Sequence, residues 1–256
     1  MSGYNGGAME NDVKRARRDY FLPASILIAA LLVSLALVYN AGRGDSQGQL
    51  AGNLESAVLP APDRVRPIDD GDHVLGDPNA PVKFISFTDL ECPFCREFHT
   101  VLKQVVDDYE QVMLVYRHSP IDSLHSRARQ EARASECAAE LGGNDAFWRY
   151  VDRIFEITPS NNGLDPQKLF ETAAFIGLNQ DEFSSCLASD RHVDRVERDS
   201  KDALNAGSEG STPYSVILLP SGKVYALPGY LPYEDARPDY PSMKAILNII
   251  FEEEGL

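Results

Sequence analysis

Basic residues are scarce in this 256-residue chain: 24 Lys and Arg stand against 39 Asp and Glu, a formal net charge of -15. That balance leaves no cationic surplus to displace phosphate counterions, which excludes nucleic acid as the partner. Cysteine is scarce too. Four residues are too few for a disulfide-stapled scaffold, and a chain of this length can bury a core without one. No internal repeat is visible. What is present is 43% hydrophobic residues, enough to rule out wholesale disorder. The acidic surplus suggests only solubility.

Long apolar runs are also few, and the longest is Phe21 to Tyr39 (FLPASILIAALLVSLALVY), which carries no charge. At about 1.5 Å per residue such a helix nearly crosses a hydrocarbon core of roughly 30 Å. Lys14, Arg15, Arg17 and Arg18 precede it and only Arg43 follows closely. The bias predicts a cytoplasmic N-terminus and an extracytoplasmic bulk, in the periplasm or its equivalent. A cleaved signal peptide is the rival, but its apolar region would be shorter, and Tyr39-Asn40-Ala41 is a poor cleavage site. The expected organisation is a cytoplasmic tail (1–20), a transmembrane signal-anchor (21–40), a flexible linker (41–75) and a folded domain (76–256).

Within the domain, Val82 to Thr88 and Val112 to Tyr116 read as strands. The stripe Phe98, Val101, Leu102, Val105, Val106 and Tyr109 predicts a helix between them. Strand, helix and strand imply parallel pairing with a right-handed crossover. Residues 120–206 are helical in pattern, in segments near 124–141, 145–156, 165–176, 180–188 and 190–206, broken at Gly142-Gly143, Pro159 to Gly163 and Gly177. Strand texture returns at Tyr214 to Leu219 and Lys223 to Leu227 around the turn Pro220-Ser221-Gly222, and a final helix covers about Ser242 to Glu253. The order describes an α/β domain with a helical insertion.

Cys92-Pro93-Phe94-Cys95 lies between the first strand and the first helix. Pro93 suits the first helical position. Cys92 then sits at the helix N-terminus, where unpaired N–H groups and the dipole favour its thiolate. A low-pKa thiol leaves readily, so a disulfide containing it is open to attack. Cys92 is expected at the exposed tip as the sulfur a substrate reaches, with Cys95 buried one turn in as its resolving partner. A zinc ribbon lacks its second ligand pair, since Cys137 and Cys186 stand singly. Haem attachment lacks the histidine that Arg96 replaces. His99 could complete a soft copper site with the two sulfurs, although a plain surface histidine is the simpler reading.

These residues resemble the opening of DsbA-like thiol–disulfide oxidoreductases: Gly76 to Val82, Phe87-Thr88-Asp89 and Cys92-Pro93-Phe94-Cys95. Arg117-His118-Ser119-Pro120, Leu124-His125, Glu136-Cys137-Ala138, Phe147-Trp148 and Gly210-Ser211-Thr212-Pro213 continue the likeness, which spans about residues 72 to 250. The resemblance implies a thioredoxin-like fold with an inserted helical subdomain. It also implies that Pro213 is cis and faces the cysteine pair, with the backbone of Thr212 able to pair with an extended substrate. Cys137 and Cys186 both fall on insertion helices. Leftover cysteines outside the cytoplasm usually pair, and relatives can carry such a bridge, so a structural disulfide is expected; two separate buried thiols are the alternative.

Two departures from the family's pattern stand out. Ser86 occupies the position, six residues before Cys92, where related proteins often carry a buried carboxylate, so the proton acceptor for Cys95 is in doubt. Phe94 offers neither charge nor hydrogen bond to a Cys92 thiolate, which predicts a milder oxidant than relatives with Pro-His between the cysteines. His73, His118, His125 and His192 show no metal-ligand spacing and read as solvent-exposed or capping. Tyr225 to Tyr233 could line a peptide groove, although a packed turn is the simpler reading. The expected activity is oxidation of exported proteins with free cysteines, using no cofactor or metal, with a quinone-linked membrane protein as reoxidant. A disulfide isomerase or reductase kept reduced by a membrane donor, and a copper-handling assembly protein, remain the alternatives.

Overall fold

A computed structural model describes residues 65–234 and 241–256. The expected tail, the membrane span at 21–40 and the linker up to residue 64 lie outside the described residues. In chain order the elements are β1 (His73–Leu75), β2 (Val82–Thr88), α1 (Pro93–Asp108), β3 (Val112–His118), α2 (Ala128–Ile157), α3 (Gln167–Phe175), α4 (Gln180–Ala188), α5 (Val193–Asn205), β4 (Tyr214–Leu218), β5 (Val224–Pro228) and α6 (Met243–Glu254).

The strands form one sheet in the order β1-β3-β2-β4-β5. β2 and β3 run parallel, from Val82 opposite Val112 to Thr88 opposite His118, as the helical crossover α1 requires. The other neighbouring pairs are antiparallel. Successive side chains alternate faces. Phe84, Leu114 and Tyr116 join the core with α1, α6 and the insertion. Ile85, Phe87, Met113, Val115 and Val216 face the other way, against Ala203 and Ala206 at the end of α5. With both faces covered, β2 and β3 appear in the sequence as nearly unbroken apolar runs.

The insertion comprises α2 to α5. The break expected at Gly142-Gly143 is a kink inside α2, where Gly143 takes φ 73° and ψ -167°. That left-handed φ is one glycine adopts at little cost.

The fold begins earlier than Gly76, which corrects the expected extent of the linker. β1 pairs with β3, placing His73 opposite Tyr116, and Val65 belongs to the core. Arg117, fully buried, anchors this segment. Its Nη2 donates to Asp72 at 2.8 Å and its Nη1 to Asp202 at 2.6 Å, with further bonds to the Arg66 and Pro67 carbonyls. Arg66 also holds Asp72, at 2.7 Å. Burial alone would raise the Asp72 carboxyl, but the two guanidiniums hold it down at about 2. A strand of three residues is too short to show a period, and ion pairs leave no apolar signature.

Candidate functional site

The site lies at the junction of β2 and α1, where Cys92 is the N-cap residue and Pro93 opens the helix. Asp89 connects the two cysteines through its backbone. Its carbonyl accepts from the Cys92 amide at 3.2 Å, and its N–H donates to Cys95 Sγ at 3.5 Å. The Thr212–Pro213 peptide is cis, and the Thr212 carbonyl accepts from Cys92 Sγ at 3.5 Å. The residues expected from the loop motifs therefore meet. One expectation changes: Cys92 is only 5% exposed, because the Thr212–Pro213 segment lies beside it. Phe94, at 59% exposure, is the open member of the motif.

The two thiols differ electrostatically. The Cys92 thiol is lowered to about 6, first by a hydrogen bond from Cys95, then against burial by the N–H groups of Cys95 and Phe94 and by Thr212. Burial, then the hydrogen bond to Cys92 and the charge on Cys92, push Cys95 well above its ordinary value. Thr212 Oγ1 is buried without an ordinary hydrogen-bond partner and favours the thiolate form of both sulfurs. One sulfur is thus ready to be attacked or to leave as a thiolate, and the other holds its proton until it is needed.

Ser86 is buried and hydrogen-bonded to Thr88 at 3.1 Å, so β2 supplies no acid. The acids come from elsewhere: Asp89, Glu91 and Glu131 are all buried nearby. Asp89 Oδ1 accepts from the Glu91 amide and Oδ2 from the Ile121 amide, both at 2.8 Å. Burial, then the neighbouring charges of Glu91 and Asp89, push Glu131 up to about 8. Burial and the charges of Cys95, Asp89, Glu136 and Glu131 raise the Tyr116 phenol, whose hydroxyl has no hydrogen-bond partner among the described residues. Asp89 and Glu91 adjoin the motif in the sequence and Glu131 does not; only the fold shows that all three are buried.

His73, His118 and His125 correct the expectation of exposed or capping side chains, since each is buried against a carboxylate, whereas His192 stands at the N-cap of α5. His73 and His118 both bond to Glu136 Oε1 at 2.9 Å, and His125 Nδ1 bonds to Asp89 at 2.9 Å. These three are buried. His192 bonds to Glu140 at 2.9 Å. His99, also buried, commits Nε2 to Asp152 at 2.7 Å and packs on Phe155, so this nitrogen is not offered to the cysteine sulfurs. Cys137 and Cys186 are bonded, S–S 1.99 Å, with Cα atoms 5.8 Å apart. They join α2 to α4 as a pair separate from the free thiols Cys92 and Cys95. In the Tyr225 to Tyr233 stretch, Tyr230 packs edge-on against Phe98.

Comparison with known proteins adds to this geometry. The profile of the thioredoxin family matches residues 69–218. DsbA2 of Pseudomonas aeruginosa is similar in structure, with a TM-score of 0.58 at 28% identity over 73% of this chain and 97% of that one. Oxidised BdbD of Bacillus subtilis gives 0.56 at 23% identity, over 75% and 97%, a likeness of fold. Among curated sequences, the Na(+)/H(+) antiporter NhaA 3 of Salinispora tropica is 33% identical over 191 residues, 73% of this chain and 28% of the antiporter. The chain spans less than a third of such relatives' length, so the activity in their name is not carried over.

Proposed function

Because the chain belongs to the DsbA-like branch of the thioredoxin family, we propose that it is a membrane-anchored, extracytoplasmic oxidase that introduces disulfides into exported proteins. The observation that carries the reading is the unequal pair, Cys92 lowered to about 6 and Cys95 raised and buried, beside the cis Thr212–Pro213 segment.

The chemistry follows from that inequality. With the pair oxidised, a substrate thiolate attacks Cys92 Sγ, a new S–S bond forms, and Cys95 leaves with the electron pair. Its high affinity for a proton then converts it to the inert thiol. A second substrate thiolate attacks the substrate sulfur of the mixed disulfide and expels Cys92 as a stabilised thiolate. The substrate has lost two electrons and the Cys92–Cys95 pair has gained them. A quinone-linked membrane protein is the reoxidant in this reading. The apolar run at 21–39 and the basic residues before it support the anchor and its orientation.

A thiol near 6 falls between the roughly 3.5 of a strongly oxidising DsbA and the roughly 7 of thioredoxin. Their potentials are about -120 and -270 mV, so an intermediate potential is expected. The test is refolding of a reduced, disulfide-containing protein in the presence of the oxidised full chain. Rapid oxidation that disappears in Cys92→Ser supports the proposal. Failure to oxidise, or a pair found reduced in cells, refutes the oxidase assignment.

A further inference from the structure

The apolar, outward-turned Phe94 leaves the Cys92 thiolate without a cation from within its own motif, yet an imidazole is bonded to the residue that bonds both cysteines. His125 lies in the connection between β3 and α2, is 5% exposed, and donates Nδ1–H to Asp89 Oδ2 at 2.9 Å. Asp89 is the residue whose backbone bonds both cysteines. The approach is therefore fixed by one residue gripped at both ends.

A second, independent feature fixes it again. Ser160, Asn161 and Asn162 are consecutive non-glycine residues with φ of 64°, 51° and 66°, a region that L-residues rarely adopt and that concentrates at functional sites. The run reaches both sides of the site. Asn161 N–H donates to the Glu91 carbonyl at 2.9 Å, and its side chain is among the groups that favour the charged imidazole of His125. Asn162 Nδ2 donates to the Leu124 carbonyl at 2.9 Å, and its Oδ1 accepts from the Ser126 amide at 2.6 Å. The residues flanking His125 are thus pinned to the segment that also holds the Glu91 carbonyl.

We propose that His125, its ring held by Asp89 and its flanking backbone by Asn162, is a positioning residue that keeps a charged imidazole close to Cys92 and so sets how strongly the pair prefers its dithiol form. Burial opposes that charge, but the Asp89 bond, the Asp89 charge and the Cys92 charge together raise the imidazole above its ordinary value. The charged groups around it are Asp89 and Cys92, with Glu91 behind them accepting the Arg127 amide and Glu131 on α2. The Arg127 guanidinium is turned away, onto the Leu164 carbonyl. The inference rests on Cys92–Cys95 being a redox pair, whichever direction the cell drives it.

The test uses the full chain. In His125→Gln the pH midpoint of thiolate absorbance for Cys92 should rise by about one pH unit, the lower end of what a close opposite charge produces. From a midpoint near 6, that shift moves the glutathione equilibrium at pH 7 about fivefold toward the disulfide, close to 20 mV. His125→Arg should restore most of both. Linkage supplies a measurement that needs no variant: coupling is reciprocal, so the imidazole pKa of wild-type His125, followed by NMR, must fall by about one when the pair is oxidised. An imidazole that titrates identically in both redox forms overturns the inference even if the variants fail to fold. If wild type exchanges with glutathione while His125→Gln keeps the same midpoint and equilibrium, the inference falls and the redox reading stands. If wild type does not exchange at all, both are overturned.

Discussion

Exchanging the Glu131 carboxyl for an amide, Glu131→Gln, should make the protein more stable at neutral pH and change little in acid. In the unfolded chain this carboxyl titrates near 4.5, and in the fold it is pushed up to about 8 by burial first and by Glu91 and Asp89 next. The sign follows directly: an acid whose pKa is raised by folding binds more protons folded than unfolded. Stability is therefore greatest below pH 4.5, declines as pH rises toward 8, and then levels off. At about 1.4 kcal/mol per pH unit, the span from 4.5 to 7 costs about 3 kcal/mol. Glutamine has the shape of the protonated acid and nothing to titrate, so it carries no charge into the interior at any pH. Urea unfolding of both proteins at several pH values between 4.5 and 8 gives the difference in stability, in which the other titrating groups cancel. The difference should start near zero and grow with pH in favour of glutamine. A difference that does not vary with pH, or a glutamine variant less stable at neutral pH, would refute the reasoning.

Alkylation of the reduced protein should report a Cys92 midpoint at about 6, with Cys95 unreactive until unfolding; equal rates at the two positions would contradict the assigned asymmetry. Arg117→Ala strands Asp72 and Asp202 in the interior and should cost about 3–5 kcal/mol of unfolding free energy, against a change under 1 kcal/mol if the network contributes little. Replacing both Cys137 and Cys186 by Ala opens a loop with a sequence separation of 49. The expected loss is about 4 kcal/mol on the chain-entropy account, with the rate of thiol exchange per folded molecule retained; loss of exchange in a folded variant would give the bridge a second role.

Much of this was legible in the sequence because it is written in period and spacing. The β2–α1–β3 unit and the insertion helices follow apolar repeats, and Cys92 and Cys95 declare themselves by standing between a strand and a helix with Pro93 between them. What stayed hidden are pairings between polar residues far apart in the chain. His125 finds Asp89, His118 finds Glu136 and Arg117 finds Asp72, and nothing local marks any of them as buried. Glu131 is an ordinary helix acid until α2 is packed. Pro213 is one of 16 prolines, and its cis bond was expected only through the resemblance carried by Gly210-Ser211-Thr212-Pro213.

The bond between Cys137 and Cys186 also constrains the order of the protein's own maturation. Both sulfurs are sealed between α2 and α4, beyond the reach of dissolved thiols, and exchange requires an attacking thiolate to reach the sulfur. They must therefore be joined before the two helices close over them. Once sealed, they no longer equilibrate with the reactive pair: reduction of Cys92 and Cys95 leaves the scaffold bond intact. A thiol count on protein reduced while folded and then unfolded without further reductant should read two. The molecule thus carries a permanent record of an oxidising step in its own history beside a pair that is meant to forget every cycle.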